Sequence, residues 1–155
     1  GYNNLEEMLQ TPESKDLTGI VLGRVDMTGS MNMTREDINS EAIFKLANNM
    51  ALICIKYDKK LIIGGGVSYH SLPFFKKLPA NSLYKFETRK IVFDAQKAFQ
   101  DKDIEKAILK AVGFELMWLK NKQKFYEMIY KEDEKRIIML ENRYKKLIEE
   151  VGGNI

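Results

Sequence analysis

Gly19-Ile20-Val21-Leu22-Gly23-Arg24-Val25-Asp26 is the stretch that decides the fold. Its Ile-Val-Leu run is short, β-branched and unalternating, which suits a strand buried on both faces, as in a parallel sheet. A second run of the same kind, Leu61-Ile62-Ile63, follows Lys59-Lys60 and ends in Gly64-Gly65-Gly66. A third strand is predicted from Leu83 to Phe93, where Tyr84, Phe86, Thr88, Ile91 and Val92 are good strand formers.

Helical patterns separate these runs. A short helix starts at Asn3 or Asn4, carries Glu6 and Glu7 in its first turn, and is ended by Thr11-Pro12-Glu13. Residues 27–39 read as a loop. A helix from about Ser40 to Tyr57 presents Ala42, Ile43, Leu46, Met50, Ile53 and Cys54 at helical spacing. Ser68 to Leu78 is a short helix, with Pro73 tolerated only in a first turn. A helix from Asp101 or Asp103 to about Asn121 has Ile104, Ile108, Val112, Leu116 and Leu119 as its stripe. A second helical segment runs from Lys122 to Val151, with Gly152-Gly153 as a C-terminal stop. Strands alternating with helices predict a parallel α/β sheet. Three strands cannot close a barrel, which takes about 250 residues when eight-stranded. The chain is therefore a small open sheet or part of something larger.

Composition narrows the function classes. The chain has 155 residues and is 45% hydrophobic and 30% charged, which suits a soluble domain with a real core. The net charge of +3 is small and dispersed, so neither nucleic acid nor a membrane surface is an expected partner. No apolar run is long enough for a membrane span, and no signal peptide is visible. The single cysteine, Cys54, excludes an intramolecular disulfide and a multi-cysteine zinc site, and fits a reducing, cytoplasmic setting.

Candidate chemistry gathers where parallel strands end. Asp26 is placed to bind a hard divalent cation, or simply to cap its loop or pair with Arg24. Gly64-Gly65-Gly66 either lets a backbone hold an anion or makes a tight turn; no Gly-Lys-Ser/Thr follows, so it is not a Walker loop. Glu87 and Arg89 fall on one face of the predicted strand, where they form an ion pair, bind a polar ligand or face solvent. His70, the only histidine, has no identified partner, and Cys54 lies on an apolar helix face.

Gly23-Arg24-Val25-Asp26-Met27-Thr28-Gly29-Ser30-Met31 resembles the HpcH/HpaI aldolase and citrate lyase family. That family shows Gly-x-x-Asp-Leu-x-x-Ser-Leu-Gly at the end of the sixth strand of a TIM barrel. Gly23, Asp26, Ser30 and Met31 fall on its pattern positions, while Asn32 stands where the family often has Gly. The resemblance implies a partial (β/α)8 barrel: strands six to eight with their helices over residues 1–100, then a helical extension over 101–155. It implies a lyase that cleaves or forms a carbon–carbon bond in a 2-oxo acid or related carboxylate through an enolate. It implies Mg²⁺ or Mn²⁺ as the cofactor, with Asp26 as a metal ligand. Backbone amides of Gly23, Val25 and Asp26 would hold the substrate carboxylate, with Glu87 and Arg89 as further substrate contacts. Arg24, an additional cation here, is the candidate catalytic residue, assisting an anionic substrate or locking Asp26.

The strand that carries the family's metal-binding Glu is absent, and Glu6 and Glu7 are poor substitutes. A chain that begins at Gly1 is thus expected to be the C-terminal half of such an enzyme, inactive alone. The charged, amphipathic tail is expected to fold back on its domain or to pack across subunits of a homo-oligomer. Two alternatives stand beside the lyase: a non-catalytic oligomerising α/β module, and a small phosphate-binding domain using Gly64-Gly65-Gly66.

Overall fold

The computed structural model describes residues 1–152. They form an α/β structure with a four-stranded open sheet. The strands are β1 (Gly19–Gly23), β2 (Lys60–Gly64), β3 (Leu83–Glu87) and β4 (Val92–Asp94), in spatial order β1-β2-β3-β4. β1 pairs parallel with β2, and β2 with β3, whereas β4 returns antiparallel to β3. The parallel expectation therefore holds for the first three strands. A barrel is not what this sheet forms: it is open, and β1 has no strand partner on its outer edge among the described residues.

The helices are α1 (Leu5–Gln10), α2 (Arg24–Ser30), α3 (Glu41–Lys56), α4 (Leu72–Lys76), α5 (Ala95–Gln100) and α6 (Ile104–Glu150). Local chemistry sets their ends. The Ser40 side chain caps α3 by accepting from the Ile43 amide, and Asp94 caps α5 by accepting from the Lys97 amide. Pro73 sits in the first turn of α4, where its missing N–H costs nothing.

Several elements differ from expectation. The predicted loop at 27–39 holds most of α2 and a 3-10 turn at Arg35–Asn39. Thr28 Oγ1 bonds the Val25 carbonyl, and the Met31 amide closes the end of α2. The predicted third strand is a hairpin, because Thr88 binds Ile91 through both its amide (2.9 Å) and its hydroxyl (3.2 Å) and so reverses the chain. α5 was not expected at all; its six residues are too short for a periodic signal. The two predicted C-terminal helices are one, since nothing between them breaks a helix. Gly152 lies beyond its end, and Gly153 lies outside the described residues.

Burial is one-sided, which corrects the expectation for β1. Leu22, Leu61, Ile63 and Phe86 point into the core, with Ile43, Ala47, Met50, Ala51 and Cys54 of α3. On the opposite face Val21 is 59% exposed, and its register partner Ile62 is half-buried. Phe86 is the aromatic centre, stacked on Phe75 and Phe93 at 5.0 Å each and on Phe99 at 6.3 Å. Ile104, Ile108 and Ala111 seat the start of α6 on this core. Contacts divide the chain into two compact units, Gly1–Glu115 and a second beginning at Leu116.

Burial pushes the Cys54 thiol up to about 11, so it stays a neutral core group at physiological pH. Replacing Phe86 with alanine is expected to destabilise the first unit by about 4 kcal/mol, read as a shifted urea midpoint. A midpoint unchanged within error would mean that the aromatic stack does not carry the core.

Candidate functional site at the carboxyl ends of the parallel strands

Register brings the strand ends level. Gly23 pairs with Gly64, and Ile63 with Phe86, so Gly23, Gly64 and Glu87 form one row across the sheet. The row is close-packed over β2: a Cβ on Gly64 would lie 3.1 Å from both Cγ and Oε1 of Glu87. The loop after β2 folds onto the start of α2. Gly65 has φ +82°, and a Cβ there would lie 2.7 Å from the backbone nitrogens of Arg24 and Val25. Only glycine fits both that conformation and that approach.

Arg24 fixes this arrangement. Its side chain is 0% exposed. Nε donates to the Gly64 carbonyl at 3.3 Å, and Nη2 donates to the Gly65 carbonyl at 3.1 Å and to Ser71 Oγ at 3.0 Å. Nη1 donates to Asn39 Oδ1 at 2.5 Å and to the Ile38 carbonyl at 3.5 Å. The guanidinium carbon lies 5.2 Å and 5.0 Å from the ring centroids of Phe74 and Phe75. No carboxylate is among these partners, and Asp26 is not locked by Arg24. Desolvation alone pushes the guanidinium down to about 10, which still leaves it charged at neutral pH. Arg24 is thus a positioning residue that ties α2, the turn before α3 and the loop after β2 to one point.

A cleft of about 900 Å³ opens above the row. Gly23, Val25, Asp26, Glu87 and Arg89 line it, as do Gly64-Gly65-Gly66. The structure therefore brings these sequence-predicted residues together and places Arg24 behind them. Asp26 is exposed at the first turn of α2, with Oδ2 beside Gly23, where a Cβ would meet it at 2.8 Å. Glu87 ends β3, and Arg89 follows in the exposed turn, so the two do not share a strand face. Among the described residues neither forms an ion pair; the ion pairs are Lys56–Glu6 and Lys106–Asp103. His70 is exposed, packs its ring tilted against Tyr69 and lies outside the cleft lining.

Sequence reasoning missed Arg35 and Glu115, which also line the cleft. It also missed Asn39 and Ser71 as partners of Arg24. No motif marks them; they arrive through the 3-10 turns and through α6. Among the described residues no group of three or more His, Cys, Asp or Glu side chains could hold a metal ion. The carboxylates of Asp26, Glu87 and Glu115 line the cleft, and a hard cation held there would need water to complete its shell. No helix among the described residues is long and apolar enough to cross a membrane. No family model, curated protein or solved structure matches the chain.

Arg24→Lys is expected to cost about 3 kcal/mol, because an ammonium cannot span these acceptors and leaves buried carbonyls unpaired. Thermal or urea denaturation reads this directly. A loss below about 0.5 kcal/mol would show that the guanidinium geometry is dispensable.

Proposed function

We propose that the strand-end cleft binds a small carboxylate beside a divalent cation. In this proposal the chain supplies part of the site of a metal-dependent carbon–carbon lyase or aldolase acting on 2-oxo acids. One observation carries this reading: Gly23, Asp26 and Glu87 line one cleft at the carboxyl ends of parallel strands, on the sheet face where Val21 is exposed. Parallel sheets are ordinarily covered on both faces. A one-sided parallel sheet with an open β1 edge is what three consecutive strands of a (β/α)8 barrel would present. The antiparallel β4 would then be an addition beside the last of them.

Asp26 would hold Mg²⁺ or Mn²⁺, with Glu87 near enough to the same row to share it through water. The cation, when bound, supplies electrophilic polarisation of a substrate carbonyl. The chain's own groups do the rest. Backbone amides at the start of α2 would hold the substrate carboxylate, and the exposed Arg89 would add a positive charge at the rim. Arg24 keeps those amides in place without touching substrate. A cytoplasmic setting belongs to this reading and is supported by the lone, buried thiol.

Manganese titration followed by electron paramagnetic resonance tests it. Weak binding is expected, and Asp26→Ala should weaken it at least tenfold, while oxaloacetate should strengthen it in the unsubstituted chain. Affinity unchanged by Asp26→Ala would reject Asp26 as the ligand. Turnover of oxaloacetate or a 4-hydroxy-2-oxo acid by this chain alone is expected to be absent. Robust turnover would overturn the view that the site is incomplete.

A further inference from the structure

From Leu116 to Glu150, α6 runs for about 50 Å without a single buried side chain. Eight of its apolar residues nevertheless fall on one line, while Met117, Trp118, Phe125, Met128, Ile129, Ile138 and Met139 lie off it. Leu116, Leu119, Gln123, Tyr126, Tyr130, Asp133, Ile137, Leu140, Tyr144 and Leu147 follow one another at alternating spacings of three and four. That is a sustained heptad, with Leu116, Gln123, Tyr130, Ile137 and Tyr144 at a, and Leu119, Tyr126, Asp133, Leu140 and Leu147 at d. Gln123 and Asp133 alone break its apolar character. The exposures are large for such residues: Leu119 is 48% exposed, Tyr130 67% and Ile137 55%. A depression lined by Leu119, Lys122, Gln123, Tyr126, Glu127 and Tyr130 sits on this stripe. Every one of those residues occupies an a, d, e or g position, as the hole for a facing side chain requires.

The flanks say what the occupant is. The g positions from 122 on carry Lys122, Ile129, Arg136 and Arg143, and the e positions carry Glu127, Glu134, Glu141 and Ile148. In a parallel, in-register pair, each g residue faces the e residue five places on in the other copy. Lys122 then meets Glu127, and Arg136 meets Glu141. The exception keeps the rule, since Lys120 at e falls opposite Glu115 at g. An antiparallel pair would set g against g and e against e, placing basic on basic and acidic on acidic. The stripe is therefore complementary to itself in one orientation. We propose that α6 associates with α6 of a second copy as a parallel, in-register, two-stranded coiled coil along the Leu116–Leu147 seam. Asp133 faces its own counterpart there and weakens the pair, while the Gln123 side chains face each other and fix the register.

Two cysteine variants of the full chain test this, since the native Cys54 is buried. Leu119→Cys and Leu147→Cys, each alone, are expected to form covalent dimers on mild oxidation, because like positions lie level only in the parallel register. Sedimentation at tens of micromolar should show a dimer for the unsubstituted chain. Asp133→Leu should tighten it at least tenfold, Arg136→Glu should loosen it about tenfold, and Arg136→Glu with Glu141→Arg should restore it. A monomer at that concentration, a trimer or larger species, or a 119–147 cross-link on mixing the variants without either homodimer would overturn the proposal. The charge-swap pair keeps the test decisive if a cysteine variant misfolds.

Discussion

One buried guanidinium governs the geometry of the strand ends. Arg24 spends its donors on the last carbonyl of β2 and the one after it, one carbonyl and one amide oxygen before α3, and the Ser71 hydroxyl. Those acceptors come from three separate segments of the chain, at residues 38–39, 64–65 and 71. The charge is balanced by dipoles and two phenylalanine faces instead of a carboxylate. Such an arrangement is costly to desolvate and costly to break. It is kept where loop positions must be reproducible, and the loops it holds are those that line the cleft.

The sheet supplies the other half of the site. Register aligns Gly23, Gly64 and Glu87, and the two glycines remove the side chains that would otherwise fill the space above them. The cleft exists because the row is built from one carboxylate and two residues without a Cβ. Chemistry at this place follows from the general habit of α/β sheets to bind ligands beyond the carboxyl ends of their strands.

Much of this was readable beforehand. Ile20-Val21-Leu22 and Leu61-Ile62-Ile63 announced parallel strands through composition, and Ile43, Met50 and Cys54 announced α3 through spacing. The strand-end position of Asp26 and the glycine run followed from the same pattern. What could not be read depended on tertiary contacts or on short-range hydrogen bonding. The Thr88–Ile91 turn splits a predicted strand that has no Gly, Pro or Asn to mark it. The burial of Arg24 rests on Asn39 and Ser71, which carry no signal of their own. The one-sided exposure of Val21 depends on what is absent from one face, and a β-branched run looks the same whether one face or both are covered.

The two edges of the sheet are not equivalent. β4 is three residues long and ends in Asp94, whose side chain is committed to capping α5. Short, charged margins of this kind resist strand addition. β1 offers five residues of uncharged backbone beside an apolar cleft lined by Leu5, Met8, Ile20 and Leu22. A sheet with one receptive margin and one blunt margin can accept a single neighbour and then stop. Polymerisation by repeated strand pairing needs both margins to be receptive, so the asymmetry caps growth at one added element.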